Sequence, residues 1–405
     1  MSPPLEDLRI VELSAFVAAP FAGMNLAQMG AEVIRIDRIG GGLDFNRWPV
    51  TAAGRSLYWA GLNKGKRSLA LALDKPEGRE IARAVVTAPG AGGGILLTNL
   101  PPLPGLDYRS LSAARRDLLM LRLTGNRDGS TAVDYTVNAA SGFPLVTGEG
   151  PGPVNHVLPA WDIAAGLYLV GGLLAAERRR LRSGAGEEVV LALTDVMLAS
   201  LGALGYIGEA QVNGTTRPRI GNDLYGSFGR DFATADGRRV MLIALTPRQW
   251  RALGEATELA QPLAAVGMRL GVDLDTDAGR YAAREEIAAV LAPWCAARSL
   301  DEIRQTFAGT AVLWGPFQDF RQLVASDSRC STDNPLFGLV DDPGIGRYLM
   351  PGLPLDFGAE LRAAPRPAPR LGADTDDILA GLLSLPAGEI ARLHDRGIVA
   401  GPDGR

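Results

Sequence analysis

The chain is poor in the side chains that most often build metal sites and disulfide frameworks. Its 405 residues include two cysteines, Cys295 and Cys330, and two histidines, His156 and His394. Two cysteines exclude a disulfide-stabilised scaffold and a cysteine-based zinc site. Two histidines that lie far apart in sequence give little support to zinc catalysis or Ser-His-Asp hydrolysis. We therefore expect no metal in this protein.

Signals for a phosphate loop, a membrane and a nucleic acid are also missing. IGGGLD (39–44) lacks the Lys-Ser/Thr pair of a P-loop and the spacing of a dinucleotide fingerprint, so a structural turn is its simplest interpretation. The N-terminus has no apolar signal-peptide region, and the longest apolar run (164–176) is too short to span a bilayer. The net charge is -4 with both signs interspersed, which gives no basic patch. These absences predict a cytoplasmic protein with no nucleic-acid and no membrane partner.

The first half of the chain alternates short apolar strands with helices of apolar spacing. LRIVELS (8–14) predicts a strand, residues 16–30 a helix that stops at Gly30, and AEVIRIDRI (31–39) a second strand. Such a β-α-β unit is typical of a parallel sheet with crossover helices. The alternation continues through a strand at 66–73, a helix at 76–88, and strands at 93–100 and 117–125. The predicted fold class is α/β, doubly wound in its first half.

Changes in composition predict two domain boundaries. A long helix is expected from Ile163 to Arg182, followed by a strand and a helix within 187–204. The Gly- and Arg-rich stretch 214–245 predicts a crossing into a smaller domain, and past residue 325 a Pro- and Gly-rich segment predicts an extended return. The predicted division is 1–213 for the first part of a large domain, 214–325 for a linker and small domain, and 326–405 for the return segment.

A compact set of cations precedes the third strand. NKGKRS (63–68) places Lys64, Lys66 and Arg67 beside a glycine, a composition suited to a phosphate or pyrophosphate. A solvated turn is the alternative interpretation. Arg38 ends a buried strand, and the carboxyl ends of strands in an open parallel sheet are where ligands bind.

Asp162 lies at the start of a very apolar helix, in LPAWDIAAGLYLVGGLLAAE. A plain helix N-cap would explain an aspartate there. A carboxylate nucleophile that forms an acyl intermediate is the functional alternative, with the helix N-terminus as a stabiliser of a tetrahedral oxyanion. The residue type and its place leave both alternatives open.

Three further polar residues lie near Asp162 in the sequence. Asp134 and Tyr135, in AVDYTVNAASG, are suited to orienting a substrate carboxylate, although a local Asx turn is an equal alternative. His156 precedes Asp162 by six residues. A hydrogen-bonded structural role is the simpler interpretation of this histidine.

Long segments of the chain match a known family. They are LRIVELSAFVAAPFAGMNLAQMGAEVIRIDRIGGG, LNKGKRSLALALDKPEGRE, TNLPP, GLDYRSL, RSGAGEEVVLALTDVML, YGSFGRDFATADGRRVMLIALTPRQW and APRLGADTDDIL. In this order they resemble the family III CoA-transferases over nearly the whole chain. That family includes formyl-CoA transferase, carnitine CoA-transferases and α-methylacyl-CoA racemase.

The resemblance implies a fold, an assembly and a set of site residues. The implied fold is a large Rossmann-like domain formed by both chain ends plus a smaller α+β domain, assembled as an interlocked homodimer. Asp162 matches the nucleophilic aspartate, and no cofactor is implied beyond the CoA moiety of an acyl-CoA substrate. The positions that match CoA-contacting segments are Arg38, Asn63, Lys66, Arg67, Asn99 and Leu100. The positions expected to bind substrate are Val17, Asp134, Tyr135, Gly221 and Tyr225, where Gly221 to Tyr225 correspond to a mobile glycine loop of the transferases.

Departures from the family pattern narrow the expected reaction. Val17 replaces the substrate-contacting glutamine of formyl-CoA transferase, and Val133 replaces the catalytic histidine of the racemase. TNLPPLPGLDY is shorter than the usual arginine-bearing segment, so one CoA contact of the family is in question. Without a second base, inversion of an α-carbon lacks a partner.

These departures, with FNRWPV, NRDGS, NHVLPAWD and STDNPLF, are similar to a subgroup that moves CoA from one carboxyl group of mesaconate to the other. The expected activity is this intramolecular transfer through an aspartyl anhydride and an aspartyl-CoA thioester. An intermolecular CoA-transferase is the main alternative. A 2-methylacyl-CoA racemase and a non-catalytic CoA-binding homologue are weaker ones.

Overall fold

The protein forms two compact units. The structure is a computed structural model that describes residues 3–358 and 363–402, so positions 359–362 and 403–405 of the predicted return segment lie outside it. The first unit contains the chain up to Ser141, His156–Gly214 and the chain from Ser328 onward. The second contains Gly142–Asn155 and Thr215–Asp327. Residues 142–155, which the sequence-based division placed in the large domain, therefore pack with the second unit.

The secondary-structure elements alternate between strand and helix in the first half and are mainly helical later. The strands are β1 (Arg9–Leu13), β2 (Glu32–Arg38), β3 (Arg67–Leu71), β4 (Ile95–Thr98), β5 (Leu119–Thr124), β6 (Glu187–Ala192), β7 (Phe228–Ala233), β8 (Arg239–Ala244), β9 (Leu313–Pro316), β10 (Phe337–Asp342), β11 (Gly346–Pro351) and β12 (Val399–Ala400). The helices are α1 (Ala18–Gln28), α2 (Leu57–Leu62), α3 (Pro76–Thr87), α4 (Tyr108–Ala114), α5 (Asp134–Ala140), α6 (Phe143–Val146), α7 (Ala160–Ser183), α8 (Leu193–Ala203), α9 (Tyr206–Asn213), α10 (Pro247–Ala256), α11 (Ala260–Leu270), α12 (Asp277–Ala282), α13 (Arg284–Ala296), α14 (Leu300–Phe307), α15 (Phe320–Ser326), α16 (Thr375–Leu383) and α17 (Ala387–Asp395).

A large sheet organises the first unit. Its strand order is β12-β3-β2-β1-β4-β5-β6, and β1 to β6 are parallel. The central strands β1 and β4 are buried along nearly their whole length, as parallel strands covered on both faces usually are. The predicted α/β class with a large parallel sheet is confirmed.

The chain reverses its direction of travel across the sheet at β1. Strands β2 and β3 lie to one side of β1, and β4 to β6 lie to the other. Such a switch point leaves a crevice at the carboxyl ends of the two neighbouring strands, which is where open α/β sheets bind ligands. The turn from β1 to α1 and the residues after β4 occupy this edge.

Helices cover the two faces of the large sheet differently. Alternate residues of a strand face opposite ways, so Val11 and Leu13 join a core with α3, α4, α16 and α17, whereas Glu12 faces α1. On the α1 side, α7 crosses α1 closely at Gly166. A Cβ at Gly166 would lie 2.8 Å from the backbone oxygen of Ala18 and 2.8 Å from the ring of Phe21. The close crossing therefore depends on glycine.

Helix α7 is longer than the apolar run 164–176 that the sequence suggested. It has 24 residues and, by length and composition alone, is the one helix within 3–358 and 363–402 that could span a membrane. Its buried Leu169 and Leu173 belong to the core between α1 and the sheet. Packing within the first unit thus accounts for part of its apolar composition, since 39% of its most apolar window is buried.

The C-terminal segment completes the large sheet. Strand β12 pairs antiparallel with β3, joining Val399 to Leu71. The Thr375 hydroxyl donates to the backbone oxygen of Ala400 at 2.7 Å and accepts the backbone N–H of Ala70 at 3.2 Å. Both halves of the first unit are therefore tied together through one strand edge.

The second unit has its own core. Strands β7, β8 and β9 form an antiparallel sheet, and helices α10, α11, α13 and α14 pack against it. Buried aromatic side chains dominate this core, with Phe307 stacked on Trp294 at 5.5 Å between ring centroids.

Candidate active site

Asp162 lies in the first turn of α7, and a residue from another helix caps that turn. The residue before the helix, Pro159, has no side-chain acceptor for the unpaired N–H groups of the first turn. The Asp134 carboxylate accepts the backbone N–H of Trp161 at 2.7 Å and that of Asp162 at 3.1 Å, both at Oδ2. Asp162 is therefore not the N-cap; Asp134 provides that function from α5.

The capping of α7 also corrects the expectation of an oxyanion site there. The N–H groups of Trp161 and Asp162 are already bound by Asp134, and that of Ile163 donates to the Pro159 oxygen at 3.1 Å. A tetrahedral oxyanion would need donors that are unoccupied. These backbone groups of the first turn do not offer them in this structure.

Asp134 is buried and connects several predicted site residues. It is 1% exposed, and its Oδ1 lies 2.9 Å from Nε2 of His156. One turn further along α5, Asn138 accepts the indole N–H of Trp161 at 3.1 Å. Tyr135 donates its hydroxyl to the Val157 oxygen at 3.2 Å. The predicted residues Asp134, Tyr135 and His156 therefore all hold the chain around the start of α7.

The carboxyl group of Asp162 is unlike an ordinary surface carboxylate. Burial and, to a smaller extent, the negative charge of Asp134 raise its pKa to about 7, while Arg47 opposes the shift. Among the described residues, no side chain or backbone group forms a hydrogen bond or ion pair with this carboxyl group. A carboxylate that is poorly solvated and unpaired is high in energy, which favours its use as a nucleophile.

Aromatic and basic side chains that the sequence reasoning did not select lie near Asp162. The guanidinium of Arg47 lies over the ring of Tyr58 at 5.1 Å and over the ring of Phe16 at 5.4 Å. Burial raises the pKa of Tyr58 to about 12, and the charges of Arg47 and Asp162 both act on this hydroxyl. The segments SAFVAAP and FNRWPV carried the signal for Phe16 and Arg47, because both belong to the family resemblance.

The turn between β1 and α1 is held in a strained conformation. Phe16 has a φ of 67°, which side chains other than glycine rarely adopt. The backbone N–H of Phe16 donates to Asp44 Oδ2 at 3.0 Å. The side-chain amide of Asn99 accepts from the Ala15 N–H at 2.9 Å and donates to the Ala15 oxygen at 2.7 Å. Asn99, predicted to contact CoA, thus uses its side chain to fix this turn. Val17, which follows Phe16 and was predicted to bind substrate, is only 7% exposed.

A buried network of charges lies beneath this turn. Arg35 is 0% exposed and donates to Glu12, Asp37 and Asp44 at 3.1, 2.9 and 3.4 Å. Buried charges are tolerated only when paired and hydrogen-bonded, and here they pair with one another. The network thereby connects buried side chains of β1 and β2 to Asp44, whose carboxylate accepts the backbone N–H of Phe16.

Lys66, predicted to contact CoA, belongs to this network. Its Nζ donates to Glu12 at 2.8 Å, to the Pro20 oxygen at 2.9 Å and to Asn63 at 2.8 Å. Burial lowers its pKa to about 8, against the effect of Glu12. All three hydrogens of the ammonium group are used, so in this geometry Lys66 and Asn63 serve the fold. This departs from the prediction, because a buried ammonium group must be fully paired.

The other cations near Lys66 are also paired. Arg67 begins β3 at the amino edge of the sheet, where it contacts Glu32 at 2.5 Å and Asp374 at 3.5 Å. Lys64 is 6% exposed and donates to the Pro351 oxygen at 2.7 Å. The NKGKRS segment is therefore neither an open cluster of cations nor a solvated turn. Arg38 and Leu100, at the carboxyl ends of β2 and β4, remain at the ligand-binding edge.

The predicted glycine loop belongs to the second unit. Gly221 has a φ of 60°, and a Cβ there would lie 2.9 Å from Oε1 of Glu149. Tyr225 packs on Tyr281 at 5.4 Å, and the guanidinium of Arg217 lies 4.2 Å from its ring centroid. This loop is thus tied to residues 148–150 and to α12 within that unit.

The described residues contain no group of three or more His, Cys, Asp or Glu side chains that could hold a metal ion. The features that could support a reaction are instead the carboxyl group of Asp162 at the start of a helix, with its raised pKa, and the switch point of the parallel sheet. A buried, unpaired carboxyl group at the start of a helix beside a parallel α/β sheet is the kind of group that covalent acyl transfer uses.

Comparison with known proteins gives the family of the chain. The family model of CoA-transferase family III matches residues 5–375, and the chain belongs to this family. The family inferred from the sequence is therefore confirmed, and the protein is an enzyme of this family.

Individual relatives agree with this assignment. 2-Methylfumaryl-CoA isomerase of Chloroflexus aurantiacus is 55% identical over 402 residues, which cover 98% of each chain. Succinyl-CoA:mesaconate CoA-transferase of Haloarcula marismortui is 28% identical and covers 93% of this chain and 95% of its own. A solved CAIB/BAIF family protein from Brucella suis, 24% identical, has the same fold with a TM-score of 0.74 over 94% of this chain and 100% of that one.

Proposed function

We propose that this enzyme moves CoA between the two carboxyl groups of mesaconate, converting 2-methylfumaryl-CoA to 3-methylfumaryl-CoA, with Asp162 as the covalent nucleophile. The observation that carries the proposal is the unpaired carboxyl group of Asp162, whose pKa is about 7. The relative from Chloroflexus aurantiacus is named 2-methylfumaryl-CoA isomerase, which supports the choice of substrate.

The first half of the reaction transfers CoA to the enzyme. A carboxylate oxygen of Asp162 attacks the thioester carbonyl, and the carbon–sulfur bond breaks to release CoA thiolate and leave a mixed anhydride. The thiolate then attacks the aspartyl carbonyl of this anhydride. The carbon–oxygen bond to the substrate carboxylate breaks, giving an aspartyl-CoA thioester and mesaconate.

The second half returns CoA to the other carboxyl group. The second carboxylate of mesaconate attacks the aspartyl thioester and expels CoA thiolate, forming an anhydride with the other end of the acid. The thiolate attacks the mesaconyl carbonyl, and the Asp162 carboxylate leaves unchanged. Retention of mesaconate in the site between these steps supplies a high effective molarity.

The environment of Asp162 favours the first attack. Burial and the neighbouring charge of Asp134 both disfavour a negative charge on Asp162. Formation of the anhydride removes that charge from the aspartate and passes it to the substrate oxygen and then to sulfur. The unfavourable interaction is therefore relieved as the bond forms.

A transfer between two separate acids is the second candidate function. It uses the same nucleophile, and the relative from Haloarcula marismortui is named for transfer from succinyl-CoA to mesaconate. The deciding experiment incubates the enzyme with 2-methylfumaryl-CoA and free labelled mesaconate. Isomerisation without label in the product thioester supports the intramolecular reaction, whereas substantial incorporation of label would assign the enzyme to the intermolecular class.

The racemase alternative has a direct test as well. Val133, at the position of the racemase histidine, lies next to Asp134 and offers no base. We expect no deuterium to enter the α-carbon of a 2-methylacyl-CoA in heavy water. Entry of deuterium at the α-carbon would support the racemase alternative.

Assembly, cofactors and location complete the proposal. We infer a homodimer, supported by exposed apolar side chains on α7, α8 and α9, including Tyr168, Leu198 and Val212, which are 56%, 46% and 84% exposed. The proposed steps need no metal or redox group beyond the CoA of the substrate, and we expect the enzyme in the cytoplasm. Light scattering tests the homodimer. A monomer in solution would show that these apolar surfaces do not bind a second copy of the chain.

A further inference from the structure

The substrate of the proposed reaction always carries a free carboxylate. Whichever carboxyl group of mesaconate forms the thioester, the other stays ionised at neutral pH. Beside apolar and aromatic side chains such as Phe16 and Tyr58, such a group is bound well only if a cation meets it. The inference below rests on the proposed function, because it concerns the recognition of this second carboxylate.

The cations of the buried network are already occupied. Arg35 donates to three carboxylates, and Lys66 donates all of its hydrogens to Glu12, Asn63 and the Pro20 oxygen. Both are enclosed beneath the turn after β1. Neither can meet a substrate carboxylate without dismantling the network.

Arg47 differs from these buried cations in its exposure and in its pairing. It is exposed, and within the described part of the chain its guanidinium forms no hydrogen bond and no ion pair. It is nevertheless close enough to Asp162 for the two charges to interact. A cation beside the reacting carboxyl group is therefore available to a ligand.

The geometry of Arg47 suits a carboxylate. Its guanidinium lies over Phe16 at 5.4 Å and over Tyr58 at 5.1 Å. Contacts to ring faces steady a guanidinium through its planar surface and leave the N–H groups at its edge free. Such an edge pairs with both oxygens of one carboxylate.

The backbone of Arg47 is anchored to the same residue that holds Phe16. The N–H of Arg47 donates to the backbone oxygen of Asp44 at 3.1 Å, while Asp44 Oδ2 accepts the N–H of Phe16 at 3.0 Å. The Ser56 hydroxyl donates to the Arg47 oxygen at 2.5 Å. The strained turn and the arginine are thus positioned together by one buried aspartate.

We propose that Arg47 is the substrate-binding residue that receives the free carboxylate of the acyl group while the thioester carbonyl faces Asp162. A guanidinium does not distinguish the two ends of mesaconate. After the first half of the reaction, the two carboxylates can therefore exchange places between Arg47 and the aspartyl thioester. This exchange would retain mesaconate in the site and allow the reaction to run in both directions.

The test compares two acyl-CoA esters that differ in this carboxylate. 2-Methylfumaryl-CoA carries it, and (E)-2-methylbut-2-enoyl-CoA carries a methyl group in its place. The readout is enzyme-dependent release of CoA thiol in the presence of hydroxylamine, which traps the acylated enzyme. We expect the wild-type enzyme to prefer the first ester by about 100-fold in kcat/KM, the size of a charge-assisted hydrogen-bonded pair.

Substitution of Arg47 should remove this preference. In Arg47→Gln we expect the ratio of the two kcat/KM values to fall to within several-fold of one, and in Arg47→Lys to be intermediate. Arg55 is a matched control, because its guanidinium lies over Phe45 and Trp59 at 5.5 Å each and faces Asp342. Arg55→Gln should keep the ratio of the wild type.

The outcomes separate this inference from the proposed function. An equal loss for both esters in Arg47→Gln would overturn the inference, because it would show that Arg47 acts on Asp162 or on folding rather than on the substrate. Entry of labelled mesaconate into the product would reject the proposal of an intramolecular reaction. The ratio of the two kcat/KM values would still test whether Arg47 binds the free carboxylate. An unchanged ratio of the two kcat/KM values in Arg47→Gln would overturn the inference, whether CoA transfer is intramolecular or intermolecular.

Discussion

The carboxylate of Asp134 binds the backbone N–H of Asp162 at 3.1 Å, so one aspartate caps the helix that presents the other. The cap stabilises the start of α7. Its charge also raises the pKa of Asp162, after burial, which is the larger cause. A single contact therefore serves both the position and the protonation of the proposed nucleophile.

The first prediction is that Asp162→Asn abolishes turnover while acyl-CoA esters still bind, because an amide cannot form the anhydride. Turnover is measured as conversion of 2-methylfumaryl-CoA and binding by calorimetry. In the wild-type enzyme, hydroxylamine added during turnover should leave an aspartyl hydroxamate at this position, detected by peptide mass spectrometry. Near-normal turnover in Asp162→Asn would remove Asp162 from the mechanism.

The second prediction concerns stability and pH. The pKa of Asp162, about 7 in the folded protein, lies above its value in the unfolded chain, which is about 4. Between these values the folded state holds a proton that the unfolded state has lost, so this group makes the protein less stable as pH rises. Asp162→Asn lacks the effect. The midpoint of thermal unfolding should rise relative to wild type at pH 8 and show little difference at pH 4.5.

The third prediction separates the two causes of the raised pKa. Asp134→Asn keeps an acceptor oxygen for the N–H groups of α7 and removes the charge. The pKa of Asp162 should fall without reaching its ordinary range, because burial remains. The acidic limb of the kcat/KM profile, which should lie near pH 7 in the wild type, should move to lower pH.

A stationary limb in Asp134→Asn would mean that burial alone sets the pKa of Asp162. His156, whose Nε2 lies 2.9 Å from Asp134, provides a control. His156→Gln leaves the carboxylate in place, so the limb should stay within the spread of the wild-type measurement.

Local patterns in the sequence predicted the parallel sheet and the start of the helix near Asp162, whereas the family resemblance selected Asp162 as the nucleophile. Continuous apolar runs predict buried parallel strands, and an aspartate before an apolar run predicts a helix start. The partners of these residues come from distant segments. Asp134 reaches α7 from α5, and Lys66 turns inward to Glu12 on β1.

The difference between the predicted and the observed surroundings of these cations has one physical cause. A basic segment next to glycine has the composition of an anion site, and composition does not tell whether its cations face outward or pair in the interior. Lys66 is 5% exposed because Glu12 needs a counter-charge. Arg47 is exposed and is the single cation of FNRWPV, so composition alone did not select it, although the segment belongs to the resemblance.

The fourth prediction follows from this difference. Lys66→Met should destabilise the protein by about 3–5 kcal/mol, because it leaves Glu12 with too little positive charge in a buried network. Urea unfolding measures the loss. Arg38→Gln, at the carboxyl end of β2, should instead raise the KM for every CoA ester while stability stays near that of wild type. A stable Lys66→Met variant with a raised KM would restore Lys66 as a CoA contact.

The fifth prediction concerns the crossing of α1 and α7, the helices that follow Phe16 and carry Asp162. In Gly166→Ala, the new methyl group would lie 2.8 Å from the Ala18 oxygen and from the Phe21 ring, so the helices must separate. We expect a loss of about 1–3 kcal/mol, as for other overpacked sites. Gly172→Ala, in the same helix, is the matched control because its methyl group would meet Leu121 and Val189 at 3.8 and 3.9 Å. That variant should gain up to about 1 kcal/mol from its higher helix propensity, and equal effects of the two substitutions in urea unfolding would contradict the close crossing.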